Sequence, residues 1–120
     1  MGTFTQRIKL AKPGGSDRVV ELDALVDTGA FYSWIPASAL DSLGLIPLFS
    51  RSFLLADGRK VERSCTEAIV SINGEHRTTI VAFGDEGSTP LLGAYTLEAF
   101  ALAPDPANKR LITIPVLPAL

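Results

Sequence analysis

The sequence predicts an all-β fold, in which several short strands close a small barrel accompanied by one or two brief helices. Three observations predict it. Short apolar runs bounded by turn residues recur along the chain; Asp57-Gly58 and Asn73-Gly74 each stand between two such runs; and only two short stretches favour helix. With 120 residues and 47% hydrophobic content, the chain is expected to form a single domain over 1–120. That composition fills a core and leaves apolar surface for a partner.

Thr3 to Leu10 alternates loosely as a first strand, and the turn cluster Pro13-Gly14-Gly15-Ser16-Asp17 leads to a second at Arg18 to Val26. In the second strand Val20, Leu22, Ala24 and Val26 share one face, while Glu21, Asp23 and Asp27 share the other. The first face packs on the core, and Asp27 leaves the strand on the opposite side. Pro36 to Leu43 reads as a short helix, with Pro36 at its first position and Gly44 as its left-handed stop.

Two hairpins follow. Phe53 to Ala56 and Arg59 to Arg63 flank Asp57-Gly58; Ala68 to Ile72 and Glu75 to Phe83 flank Asn73-Gly74. Both dipeptides suit the positive φ angles of a two-residue type I′ turn. Gly84 to Pro90 is a loop, and Leu91-Leu92-Gly93 is a short apolar strand end. Thr96 to Ala101 reads as a second helix with Leu97 and Phe100 facing inward. Pro104 to Asn108 makes a turn, and Arg110 to Ile114 a last strand.

Composition narrows the function. Net charge is -2 and the cations are scattered, so no electrostatic footprint for nucleic acid or anionic lipid is present. No nucleic-acid or membrane partner is expected. The start, Met1 to Gln6, lacks the apolar core of a signal peptide, and Gln6 stands where a myristoylation signal wants Ser or Thr. The apolar tail from Leu111 to Leu120 is short and broken by Pro115 and Pro118. Cys65 is the only cysteine, which points to a reducing compartment. A soluble cytoplasmic protein without cofactor is expected, and no His/Cys/carboxylate cluster has metal-site spacing.

Asp27-Thr28-Gly29 carries the chemistry. The apolar strand delivers a carboxylate into a tight glycine turn, and Ala30-Phe31-Tyr32-Ser33-Trp34-Ile35-Pro36 follows, apolar and aromatic. An acid so flanked suits water activation. Random composition would yield the tripeptide about once in fifty chains of this length, and on its own it also reads as a plain turn. Hydrolysis by paired carboxylates needs two such acids, and the motif occurs once.

From Arg18 to Pro115 the chain resembles the retropepsin-like (retroviral-type) aspartic proteases, specifically their single-domain bacterial and archaeal relatives. The matching residues are Ala24 to Ala30 with Trp34-Ile35-Pro36, the hairpin Phe53 to Arg63, and Leu91-Leu92-Gly93 followed by Thr96-Leu97-Glu98. The resemblance implies a closed acid-protease barrel and a homodimer in which one Asp27 from each subunit meets the other on a two-fold axis. It implies an aspartic endopeptidase acting on peptide or protein substrate. Thr28 would reach the partner's backbone, and Gly29 would let substrate backbone approach. Ala56, Asp57 and Gly58 would form the flap tip over the substrate. Ala30, Trp34 and Leu91 would contact the substrate, although Trp34 and Leu91 also read as ordinary core.

Two departures accompany the resemblance. Viral flaps of this family are richer in glycine than this hairpin. Many viral members also pair an Asp after the Asp-Thr-Gly-Ala with an Arg after the Leu-Leu-Gly equivalent; here those positions are Phe31 and Ala94. Apolar packing of Phe31, with Tyr95, is expected to replace that ion pair. Of the remaining residues, His76 reads as exposed surface, Cys65 as a half-buried strand residue, and Asp85 and Glu86 as solvated loop acids. The alternative is a catalytically inactive dimerising or peptide-binding module on the same fold, since fold does not fix function. Hydrolysis of a non-protein polymer is a third reading.

Overall fold

Alternation along β2 (Val20–Val26) decides how the chain is layered. Ala24 is fully buried, and Val20, Leu22 and Val26 pack against the same core, as the two-residue period predicts. The structure, a computed structural model, describes residues 3–15 and 17–119. Met1, Gly2, Ser16 and Leu120, touched by the readings of the start, first turn and tail, lie outside the described residues.

The other elements are β1 (Thr5–Ala11), β3 (Ser33–Pro36), α1 (Ala37–Ser42), β4 (Phe49–Leu54), β5 (Lys60–Ile72) and β6 (Glu75–Gly84). They continue with β7 (Leu91–Leu92), α2 (Ala94–Ala99), β8 (Leu102–Asp105) and β9 (Arg110–Thr113). A seven-stranded sheet runs in the order β1-β2-β7-β3-β6-β5-β4, and β5 also pairs with β1. Pairing therefore returns to its starting strand, leaving β4 attached to β5 alone. The pairs β2–β7 and β3–β6 are parallel; β8 and β9 form a separate antiparallel pair. No helix is long and apolar enough to cross a membrane among the described residues.

The main core is built from Ile8, Leu10, Ala24, Ile35, Leu40, Val70, Val81, Leu92 and Leu97, among others. A second, smaller cluster joins Tyr32, Cys65 and Ala82 to the half-buried Trp34, Phe49, Phe53 and Ile80. β5 serves both. Its Ala68, Val70 and Ile72 face the main core, while Cys65 belongs to the second cluster. Where the strand passes between the two, neighbouring Cys65 and Thr66 are both buried.

That double service explains the main difference from the sequence reading. Two separate strands were expected at Arg59 to Arg63 and Ala68 to Ile72; one continuous strand spans both. Burial on opposite faces erases the alternation that a half-exposed strand would display through Ser64-Cys65-Thr66-Glu67. Cys65 is wholly buried rather than half-buried. β3 and β8 were also unmarked, because their partners supply what local sequence does not. β3 pairs Ser33 with Val81 and Pro36 with Gly84, far along the chain. Pro36 accordingly closes β3 and caps α1 from outside, at φ -51° and ψ 136°, instead of occupying the first helical turn. The second helix starts at Ala94, earlier than Thr96, with Leu97 and Phe100 turned inward as expected.

Ile35 has no exposed surface and lies between β6 and β7. Ile35→Ala should lower unfolding free energy by about 2–4 kcal/mol, read as an earlier midpoint in urea denaturation with an unchanged slope.

Candidate active site

The Asp27 turn is held from below by backbone. β2 and β7 run parallel with Leu25 opposite Leu91 and Val26 opposite Leu92. The Asp27 amide donates to the Leu92 carbonyl at 3.0 Å, prolonging the ladder by one residue. The turn then closes on itself. The Ala30 amide donates to the Asp27 carbonyl at 3.1 Å, and the Gly29 amide donates to Asp27 Oδ1 at 2.9 Å. A charge-assisted bond of that kind fixes the carboxylate's orientation.

Beyond the turn, the segment from Ala30 to Ser33 crosses Gly93 at very close range. A Cβ on Gly93 would lie 2.5 Å from the Tyr32 carbonyl oxygen and 2.8 Å from that of Ala30. The φ of Gly93 is -93°, so glycine is required here by space and not by backbone conformation. Three further bonds seal the crossing. The Ala94 amide donates to the Ala30 carbonyl and the Tyr95 amide to the Phe31 carbonyl, each at 2.9 Å. The Gly93 amide donates to Ser33 Oγ at 3.0 Å, and Ser33 Oγ lies 2.7 Å from Thr96 Oγ1, itself 3.2 Å from Thr79 Oγ1. Ser33, Thr79 and Thr96 are all buried, so this hydroxyl chain satisfies its own members.

Above the turn lies a cleft of about 640 Å³. Asp27, Gly29, Ala30 and Leu91 line it from the sheet; Phe31, Tyr32 and Trp34 add aromatic walls; residues 51–56 of the β4–β5 hairpin complete it. The hairpin is anchored by Phe53, whose ring meets Trp34 edge-on at 4.9 Å between centroids and Tyr32 at 6.0 Å. Among the described residues, Asp27 is the cleft's one carboxylate and Arg51 its one cation.

The hairpin tip differs from the expected two-residue turn. Gly58 has φ +89°, but Asp57 keeps a negative φ, which excludes type I′. The Gly58 amide donates to the Leu55 carbonyl at 3.0 Å and the Leu55 amide to the Arg59 carbonyl at 2.8 Å. This is a three-residue loop with glycine in the left-handed position. Asp57 braces it, accepting from the Arg59 amide at 3.0 Å and from Arg59 Nε at 2.7 Å. At Asn73-Gly74 both φ values are positive, 50° and 88°, as the sequence predicts.

Six of the residues singled out in the sequence line the cleft: Asp27, Gly29, Ala30, Trp34, Ala56 and Leu91. Thr28 is exposed beside it, and Asp57 and Gly58 stand outside it at the hairpin tip. Sequence reasoning missed Tyr32, Arg51, Phe53 and Leu55 as lining residues. The signal for Arg51 and Phe53 was the alternation Phe49-Arg51-Phe53, which places these three on one hairpin face.

The expected contact of Phe31 with Tyr95 is present, with ring centroids 5.9 Å apart, and Tyr32 adds rings at 5.0 and 5.5 Å. Phe31 nevertheless remains 62% exposed. His76 is exposed. The loop acids do more than solvate: Asp85 pairs with Arg63 at 3.2 Å, and Glu86 accepts from the Ser38 amide at 2.8 Å. The Ser38 hydroxyl, and after it the Ser38 amide, holds the Glu86 carboxyl below its ordinary range. Burial pushes the Cys65 thiol up, which disfavours the reactive thiolate.

No family model matches the sequence, and no curated protein matches it. Solved structures do. The solution structure of Simian Foamy Virus (mac) protease aligns with a TM-score of 0.56 and 15% identity, covering 78% of this chain and 91% of that one. The chain has the retroviral-protease fold. At this identity the likeness is one of fold, and the single-domain bacterial or archaeal grouping is carried by the sequence resemblance alone.

Gly93→Ala should destabilise the protein by about 1–3 kcal/mol in urea denaturation, since backbone atoms must move to admit the methyl. The Asp57 carboxyl is held below its ordinary range, chiefly by the Arg59 amide and then by the Arg59 side chain. The ionised form braces the tip, so its contribution is present above the unfolded value and is lost as pH falls through the depressed folded one. The Arg59 amide shift, followed by NMR against pH, should titrate with a midpoint below that of an unstructured peptide.

Proposed function

We propose that the protein is an aspartic endopeptidase that works as a homodimer, with one Asp27 contributed by each copy. The observation that carries this reading is the single carboxylate of the cleft. Asp27 is oriented by its own turn and backed by apolar walls, and no second acid among the described residues lines the site. General acid–base hydrolysis of an amide needs one group to take a proton from water and another to give one. A second copy of the same loop supplies the missing group.

Two carboxylates brought together share one proton, because like charges at that distance cannot both ionise cheaply. The ionised Asp27 takes a proton from the attacking water while its protonated counterpart polarises the scissile carbonyl. The roles reverse as the amine departs.

Substrate fits as an extended strand between the β4–β5 hairpin and the sheet below, with main-chain bonds giving affinity and pockets giving preference. The aromatic walls favour apolar residues beside the cleaved bond. Around the loop, exposed Thr28 and Phe31 and half-exposed Tyr95 offer a surface for the second copy. A stable interface needs more than about 1,000 Å² in total. Segments towards the two chain ends extend it in this reading, and the exposed Val116 and Leu117 supply apolar area there.

The experiment compares wild type with Asp27→Asn on a pool of unstructured peptides, at mildly acidic and neutral pH and at equal dimer content by light scattering. Wild type should cleave and sediment as a dimer; Asp27→Asn should retain the dimer and lose cleavage by at least about a hundredfold. Identical products from both preparations, or a strict monomer in the presence of peptide, would overturn the reading. Peptide binding without cleavage by wild type would assign the inactive binding module instead.

A further inference from the structure

The inner face of the β4–β5 hairpin carries a charge arrangement that its own strands do not balance. Arg51 and Arg63 are direct cross-strand partners. Their neighbours on that face, Phe49 opposite Cys65 and Phe53 opposite Val61, are apolar. Like charges placed directly opposite one another destabilise a strand pair. Among the described residues one carboxylate answers the two guanidiniums. Asp85 sits 3.2 Å from Arg63, whose guanidinium also lies 5.9 Å from the Trp34 ring. Even so, Arg63 Nε is buried without a partner.

Arg51 is left over. It makes no ion pair with any described residue, donates to the carbonyl of its neighbour Ser50 at 3.1 Å, and rests 4.6 Å above the Phe49 ring. It is exposed and lines the cleft that contains Asp27. A local rule broken at the wall of a cleft, with no carboxylate among the described residues to answer Arg51, marks a place where a ligand supplies the counter-charge.

We infer that Arg51 is a specificity-determining residue, which selects substrates bearing an acidic side chain to one side of the apolar residues at the cleaved bond. This rests on the peptide-cleft reading above. An extended peptide running beneath the hairpin alternates its side chains, so one position is directed towards the hairpin's inner face while its neighbours meet the aromatic walls. Glutamate or aspartate at that position accepts from the Arg51 guanidinium, whose planar fork matches a carboxylate. A lysine there meets the like charge of Arg51 and is rejected. Selection thus combines an attractive partner for one charge with repulsion of the other.

The test uses peptide sets identical except at one position, which carries Glu, Gln or Lys and is walked along the sequence. At one position wild type should cleave the Glu peptide with a kcat/KM about fivefold above the Gln peptide, the scale of a partly exposed ion pair, and the Lys peptide should be poorest. Arg51→Gln should bring the Glu-to-Gln ratio to about one, and Arg51→Glu should reverse the order in favour of Lys. Arg7→Gln, on β1 and outside the cleft, should keep the wild-type ratio.

Cleavage with equal Glu and Gln rates at every position, or a ratio that survives Arg51→Gln, would overturn the inference and leave the protease reading standing. The same peptides, labelled and titrated against wild type and Asp27→Asn by fluorescence anisotropy, separate the two failures. Glu-selective binding abolished by Arg51→Gln, without cleavage by wild type, would overturn the protease reading and keep carboxylate selection. Equal affinities for Glu and Gln peptides would end the inference whether or not turnover occurs.

Discussion

The close crossing of the 30–33 segment over Gly93 is the constraint on which the site depends. A carboxylate on a loop is useful for chemistry only if the loop is held, and here the holding is done by backbone packed to a distance that no side chain tolerates. Because Gly93 directly follows β7, the strand that pairs with β2, the crossing ties the acid-bearing turn to the sheet from both ends. Asp27 bonds to Leu92 on one side of it and Ala30 to Ala94 on the other. The buried chain from Ser33 through Thr96 to Thr79 then links the crossing to α2 and β6. In the interior each hydroxyl would be costly alone; together they satisfy one another and favour a single arrangement.

A second consequence concerns the hairpin over the cleft. β4 pairs with β5 only, so its remaining restraint comes from side chains, chiefly Phe53 against Trp34 and Tyr32. The same aromatic group forms the wall of the cleft. Opening the hairpin would therefore alter the wall, and filling the cleft would change what Phe53 rests upon. On the peptide-cleft reading proposed above, access and recognition are coupled through three rings. The tip is stiffened by Asp57 and Arg59 rather than loosened by added glycine, which shifts any hinge towards the ends of β4 and β5.

Most of this was legible in the sequence wherever one face of a strand meets water. The alternation in β2, the Asn73-Gly74 turn, and Leu97 with Phe100 on one face of α2 all declare themselves locally. The features that escaped reading have remote causes. β3 exists because β6 pairs with it; the long β5 is hidden because it buries residues on both faces. Asp57-Gly58 carried the right residues for a type I′ turn, yet the side chain of Asp57 bonded forward to Arg59 and a longer loop formed. At the site, the motif pointed to Asp27, Gly29 and Leu91, but the lining from Arg51 to Leu55 required the hairpin to be seen folded over them.

Charge at the cleft agrees with the half-site proposed above. Asp27 and Arg51 line the same space, and among the described residues neither is paired with the other or with another charged side chain. In a self-contained site two such groups would be expected to neutralise one another. Here the acid is oriented by an amide of its own turn, and the guanidinium is parked on an aromatic ring. Each is thus held in place without being consumed; on the proposed reading the acid meets a like group from a second copy and the cation an anion from a ligand. A fold that leaves its two cleft charges separately unmatched has kept both available for association.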